Sequence, residues 1–548
     1  MRVFSYLSTS TTRGSWAQCL ERVAFLLLLR DISAGSLPNG GWVRSSMSTC
    51  NASASFSSLS AASSATSTPN STSYAHHTYR PRRDLYTPPP AHLSLKQVVI
   101  IARHGDRAPI ARNVGQAVQD SPSSQELWQS KLPSLQELQQ WSATYPLSDP
   151  SLKPVDQHEH PYAQLTRRGA EELRALGKHL RERYVCHLKW LPAQLHSAAT
   201  ATTGGESENL DVFTSSGSSS SDFATKPRLI YARATNIRRT QQSCQNLLLG
   251  LYPPPSSPSS VPPLTIDVRP THLETLYPNA DRSCCRQGEI IAELRQQHYR
   301  LPPSLVRSIT EEAHVRLGLT PSLTSATPAL VPWNQVREVW TCHAVHGLPF
   351  PSSVEGGGVE GGEEEWFERV EQFTCRMWGS WFREEEMTRL AIGPFLKEVL
   401  EGIEGKASGR KGQREGMGEG GKVEHVVVYA GHDSSIVPVL AALGIWEDVW
   451  PPYAANIVLE LAEKEGGREG GRVGEHFVRI LYNDEERVLF GEEGEGWREG
   501  GEVWYPLEVF SEKIKRFLPT DYEKECRCRN DEEGKDGGEE DEVASSIK

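Results

Sequence analysis

Two apolar runs that each break off into a histidine constrain this chain more than any other feature: VVIIARHGDRAPI at residues 98–110 and EHVVVYAGHDSSI at 424–436. β-Branched runs without alternation are typical of strands buried on both faces, as in a parallel sheet covered by helices. The second run continues into IVPVLAALGI, a turn entering a helix. Between the two runs, residues 165–184 place Leu173, Leu176, Leu180 and Tyr184 at helical spacing behind Thr166, a plausible N-cap. Residues 228–232 read as a further short strand, followed by a helix over 235–251. Strand, turn and helix in repetition predict an α/β fold, and such sheets bind ligands at the carboxyl ends of their strands.

The rest of the chain is uneven. Residues 1–83 are rich in Ser, Thr, Ala and Arg, lack Lys, and hold only Glu21 and Asp31 as acids. That composition fits an organellar, mitochondrial-type transit segment better than a secretory signal, for which the seven-residue run Val23 to Leu29 is the alternative core. The sequons at Asn51 and Asn70 fall in this leader. The domain is expected to start near residue 92, just after the proline run at 88–90. Gly-, Ser- and Glu-rich stretches near 199–225, 353–365, 404–422, 463–474 and 491–502 read as surface loops, and 526–548 as an acidic, solvated tail.

A net charge of −12 and a pI near 5.8 offer no basic field for a nucleic-acid backbone. No apolar run reaches the roughly 20 residues of a membrane-spanning helix. None of the ten cysteines forms a C-x-x-C pair, which disfavours structural zinc. The vicinal Cys284 and Cys285 and the pair Cys526 and Cys528 are candidates for disulfides, or for thiols in a reducing compartment.

The chemistry gathers where the strands end. Arg103 and Arg107 flank His104, and guanidinium forks suit a bidentate grip on phosphate or carboxylate. The block YARATNIRRTQQS at 231–243 offers Arg233, Arg238 and Arg239, and the late turn offers His432 and Asp433. If these loops converge, the pocket holds fixed positive charge, two imidazoles and a carboxyl group. That set suits phosphoryl transfer, in which the imidazole attacks, the arginines neutralise the equatorial oxygens and the acid protonates the leaving alkoxide. The arginines supply the charge a metal would otherwise bring, so neither metal nor other cofactor is expected. A cysteine phosphatase would need C-x5-R and an aspartate-nucleophile phosphatase a D-x-D, and the sequence has neither. HEHP at 158–161, with His158 and His160, reads as polar loop rather than a metal site.

Taken together, RHGDRAP, LTRRG with LGKHLRERY, ATNIRRTQQS, YAGHDSSI and WPPYAANIVLEL resemble the histidine acid phosphatase family, the phytase-containing branch of the histidine phosphatase superfamily, from about residue 95 to about 525. THLETLYPNADRSC, LAIGPFLKEVL and LGIWEDVWPPYAANIVLEL are most similar to its lysophosphatidic acid phosphatase group. The resemblance implies that His104 is the nucleophile forming phosphohistidine, that Arg103, Arg107 and Arg239 bind phosphate, that His432 stabilises the transferring group, and that Asp433 donates the proton. Ala234 stands where the family commonly has Ser, and Asn236 and Arg238 where many members have Asp. Asp106 is a weak candidate for a direct role.

The expected architecture is a three-layer α/β/α sandwich with a mainly parallel central sheet, built from about 92–111, 165–260 and 385–525. A smaller, mostly helical cap would come from about 112–164 and 265–384. The expected partner is a small phosphomonoester, whether lipid, sugar or inositol phosphate; oligomeric state stays open.

Overall fold

The computed structural model describes residues 77–114, 120–149, 160–195, 229–254, 264–278, 284–297, 300–318, 331–349, 362–409, 425–465, 475–491, 497–499 and 502–529. The transit or signal reading, both sequons, His158, most of the low-complexity loops and the tail from 530 lie outside the described residues.

The first run forms β1 (Leu93–Arg103) and the last forms β4 (Val426–Gly431), and the two pair in parallel with Arg103 opposite Gly431. Strand β2 (Ile230–Ala234) lies parallel on the other side of β4, with Ala234 opposite Ala430, and β3 (Asp267–Val268) continues that edge. The strands that carry the arginine- and histidine-bearing turns thus end at one level. Beyond β1 the sheet turns antiparallel through β5 (Asn456–Lys464), β6 (His476–Tyr482), the short β7 (Glu485–Glu486), β8 (Trp497–Glu499) and β9 (Glu502–Pro506).

Both faces of the sheet are covered, which is why β1 and β4 read as unbroken apolar runs. Val98, Ile100 and Ala102 face α3 (Arg167–Arg181) and α4 (Arg238–Leu251), through Leu173, Leu176, Leu180, Leu247 and Leu248. Val99 and Ile101 face α9 (Glu385–Ala407), α10 (Asp433–Ala442) and α11 (Leu507–Lys515). The α/β/α layering expected from the sequence is therefore present.

The connecting helices are α1 (Pro122–Gln129), α2 (Leu135–Thr144), α5 (Cys285–Gln296), α6 (Pro303–Arg316), α7 (Trp333–Val345) and α8 (Glu363–Phe382), with α12 (Tyr522–Glu525) closing the described chain. Helices α6, α7 and α8 share their own core of Ile309, Ala313, Val336, Val339, Val370 and Phe373, and form the cap. The expected cap boundaries need correction. Trp141 and Leu138 of α2 pack on Leu165 and Ala170 beside the core helices, and β3 belongs to the central sheet.

Two other boundaries move. Residues 77–91 are part of the domain: Thr78 pairs with Tyr453, the Tyr79 hydroxyl donates to Asp484, and the Tyr86 hydroxyl donates to Glu460 at 3.0 Å. These phenols add to the hydrogen bonds that Arg183 gives Asp484 and Arg479 gives Glu460, so the domain starts no later than His77. At the other end, disulfides Cys284–Cys526 and Cys285–Cys528 fasten the first residues of the expected tail to the start of α5.

Candidate active site

The level ends of β1, β2 and β4 place their following residues side by side. The His104 amide donates to Gly431 O at 2.9 Å, so the chain leaving β1 stays bonded to the end of β4. Its ring nitrogen Nδ1 lies 2.7 Å from Gly105 O. A carbonyl oxygen only accepts, which puts the proton on Nδ1 and leaves the lone pair on Nε2. The His432 ring stands edge-on to His104, with centroids 5.5 Å apart.

His432 is held by a directed chain of hydrogen bonds. Arg239 Nη2, a donor, is 3.4 Å from His432 Nδ1, and His432 Nε2 is 3.0 Å from Thr235 Oγ1. Thr235 Oγ1 is in turn 2.6 Å from Thr240 Oγ1, whose hydroxyl donates to Ile237 O at 2.6 Å. Each hydroxyl in this chain has one proton to give, so the only consistent assignment is a neutral His432 protonated at Nε2.

Both imidazoles are kept neutral. Burial, followed by the positive charges of Arg239 and Arg103, lowers the proton affinity of His104 well below that of an ordinary histidine. Burial and Arg239 do the same to His432, against the pull of Asp433. His432 also caps α10, and Asp433 occupies its first turn, so the positive end of the helix faces the same space.

Charges on the arginines are balanced unevenly. Arg103 Nη2 bonds Asp433 Oδ2 at 2.9 Å, its Nη1 donates to Pro451 O at 2.6 Å, and its guanidinium lies 4.4 Å from the Tyr453 ring centre. Burial pushes the Asp433 carboxyl toward protonation, but Arg103 and Arg107 outweigh it and hold the group well below the usual carboxylate range. Arg107 bonds Glu338 of α7 at 2.7 Å. No carboxylate among the described residues is within ion-pairing distance of Arg239, and burial with the neighbouring Arg107 lowers its guanidinium to about 9. The site thus carries an excess of positive charge, and Arg239 is the guanidinium best placed to take an anion.

Of the residues singled out in the sequence, Arg103, His104, Arg107, Arg239, His432 and Asp433 come together here. Arg233 does not: it is fully buried against Glu274 at 2.8 Å and Glu398 at 2.6 Å, beneath the sheet edge. Arg238 is half-buried at the start of α4, while Arg239 is the one that reaches His432. Asp106 turns away, accepting from Thr166 Oγ1 and His346 Nε2, and its amide donates to Glu172 at 2.8 Å.

The sequence reading missed the contribution of the cap. Glu338 accepts from Arg107, from Ile110 N at 3.0 Å and from Ala111 N at 2.6 Å, tying the whole RHGDRAPI turn to α7. Cys342, one helical turn on, lies 3.4 Å from the Tyr453 hydroxyl. Nothing in WNQVREVWTCHAV marks a site, because the helix acquires its role only by docking. The one grouping of three metal-ligating side chains among the described residues, Cys285, Glu289 and Cys528, includes two disulfide-bonded cysteines and lies at the C-terminal bridges, apart from this centre.

Residues 94–483 match the family described as "Histidine phosphatase superfamily (branch 2)". A probable acid phosphatase of Schizosaccharomyces pombe is 22% identical, covering 80% of this chain and 95% of that protein. Lysophosphatidic acid phosphatase type 6 of Bos taurus is 24% identical over 73% of this chain and 80% of its own length. Among solved structures, the apo form of Hafnia alvei phytase aligns with 80% of this chain and 100% of its own at 15% identity and a TM-score of 0.49.

Proposed function

The chain belongs to branch 2 of the histidine phosphatase superfamily, whose members are phosphomonoester hydrolases, and on that premise we propose that it is a metal-independent acid phosphatase working through a phosphohistidine at His104. The observation that carries this reading is a neutral His104, its Nε2 lone pair free, among the buried Arg103 and Arg107 and the half-buried Arg239, with His432 and Asp433 alongside.

The ester phosphate settles between the three guanidiniums and His432. His104 Nε2 attacks phosphorus, the bond to the ester oxygen breaks, and that oxygen takes a proton from Asp433. His432 and the arginines meet the charge on the equatorial oxygens, which is where such a transition state most needs it. Water then attacks the phosphohistidine with Asp433 as base, releasing inorganic phosphate and restoring His104.

Asp433 as proton donor needs explaining, since Arg103 keeps it ionised in the free protein. A bound phosphate dianion supplies Arg103 and Arg107 with a competing partner and adds negative charge beside Asp433. Both changes raise the proton affinity of the carboxyl group. The acid is thus formed when substrate arrives, and the neutral histidines keep the nucleophile available at weakly acidic pH.

Lysophosphatidate is the first substrate to test, given the relatives of that name; phytate and phosphosugars are the alternatives. The full-length chain and its His104→Ala variant are assayed on an aryl phosphate, with and without EDTA, and on these three substrates. The expected outcome is EDTA-insensitive hydrolysis, lost by at least a thousandfold in the variant, with an acid-labile, base-stable phosphoenzyme trapped by rapid quench. A fully active, folded His104→Ala protein sinks the mechanism.

A further inference from the structure

An open cleft of about 620 Å³ lies where the starts of α5 and α9 and the end of α11 meet the C-terminal segment 518–529. None of its lining residues belongs to the centre at the sheet edge. In a chain of net charge −12, this cleft carries seven cations, among them Arg389, Lys515, Arg516, Lys524, Arg527 and Arg529, against three carboxylates.

The carboxylates in and beside the cleft are already engaged: Glu385 pairs with Arg516 at 3.4 Å, Glu404 with Lys515 at 3.4 Å, and Glu289 with Arg286 at 3.1 Å. Glu386 accepts from Arg286 at 2.8 Å and from Arg529 at 3.2 Å. Glu525 accepts from Arg389 at 2.8 Å and from the Thr520 amide at 2.8 Å, and Asp521 caps α12 by accepting from the Lys524 amide at 3.0 Å. Exposed Lys524 and Arg527 are left with no carboxylate partner among the described residues. Arg527 is also held in place, because both of its neighbours, Cys526 and Cys528, are bridged to the start of α5. Cations fixed on separate elements around one concavity present a preorganised surface to a multivalent anion, whose binding loses little to ordering the protein.

We propose that this cleft is a second, non-catalytic site for an anion bearing several phosphate charges, either a soluble polyphosphate or the headgroup of an acidic lipid. Lys524 and Arg527 are the groups that take it.

The test uses the full-length His104→Ala chain, which cannot turn the ligand over, titrated calorimetrically with tripolyphosphate at physiological ionic strength. Acidic residues 531–542 follow Arg529 in the sequence, so the full chain includes any competition from them. Two sites are expected. Adding Lys524→Glu and Arg527→Glu weakens one of them at least tenfold, whereas adding Arg239→Ala weakens only the other. In the otherwise native chain, the Lys524→Glu and Arg527→Glu pair leaves aryl phosphate hydrolysis unchanged, which separates this proposal from the phosphatase reading. Sedimentation with vesicles of phosphatidylcholine and phosphatidic acid distinguishes the sources: co-sedimentation that the double variant loses assigns the headgroup, and its absence assigns the soluble anion. A single site in the His104→Ala chain, or two that both survive the double variant, overturns the proposal.

Discussion

Glu338 takes hydrogen bonds from three donors on one turn of another segment, and that makes it the residue outside the predicted set whose loss should be felt most. Removing it leaves the Arg107 guanidinium buried without a counter-charge and two backbone N–H groups without acceptors. Breaking a buried pair from one side costs about 3–5 kcal/mol. Glu338→Ala is therefore expected to lower the melting temperature and to weaken competitive inhibition by inorganic phosphate about tenfold or more, because Arg107 is no longer aimed. Glu338→Gln keeps an accepting oxygen and should recover most of the fold stability. A Glu338→Ala protein with native phosphate inhibition would deny the residue any part in positioning Arg107. Glu172 yields a second residue-level expectation. Burial and then the nearby Asp106 push its carboxyl up to about 7, above its unfolded value. A raised acid contributes stability that is intact below the unfolded pKa and fades as pH rises through the folded one. Thermal stability should thus decline between about pH 4.5 and 7, by up to about 3 kcal/mol. Glu172→Gln should flatten that slope; melts across this range that decline equally in both proteins would show that Glu172 is not its source.

At the scale of elements, the turn after β1 rests directly on the N-terminus of α3. A Cβ added to Gly105 would stand 2.1 Å from Gly169 O, and one added to Gly169 would stand 2.1 Å from Asp106 O. Only paired glycines let these backbones meet so closely. Gly169→Ala must force the turn and helix apart, so kcat should fall at least tenfold together with a loss of about 1–3 kcal/mol in stability. Native kcat with native melting would show that the turn and the helix can part without cost to catalysis or stability. This contact also shows what was legible beforehand. Helix α3 and its Thr166 cap announced themselves by periodicity, and the capping bond to Gly169 N is present at 3.1 Å. Strands β1 and β4 announced themselves as buried runs, and the imidazoles followed because the residues after such strands share an edge. Glu338 did not, since its helix carries an ordinary pattern and its role lies in a contact made across the fold. In sequence, Arg238 and Arg239 compete for the phosphate, and Arg233 is offered from the same block. Strand and helix separate them: the end of β2 points Arg233 inward to Glu274, whereas in the first turn of α4 it is Arg239 that faces His432. Residues 77–91 read as leader because a polar, proline-rich stretch has no period, yet their tyrosines serve acids on β5 and the loop after β6.

For the whole molecule, the two disulfides close almost the same loop. Cys284–Cys526 and Cys285–Cys528 span 242 and 243 residues, so either bridge alone enforces nearly all of the restraint on the unfolded chain. With chain entropy as the main term, the first bridge contributes about 5 kcal/mol for a loop of this size. The second closes only the few residues between the bridges and adds little by the same account. Replacing Cys285 and Cys528 with serine should therefore shift the melting temperature slightly, as should replacing Cys284 and Cys526. Replacing all four should cost far more than the sum of the two pairs. The bridges join the start of the α5 helix to the segment just after α12, across the cap helices and the second half of the sheet, so the quadruple variant should also lose the coincidence of cap and sheet unfolding in a denaturant titration. Additive losses from the two pairs would instead show that each bridge holds local structure of its own, and that the double clamp is not one redundant closure of the domain.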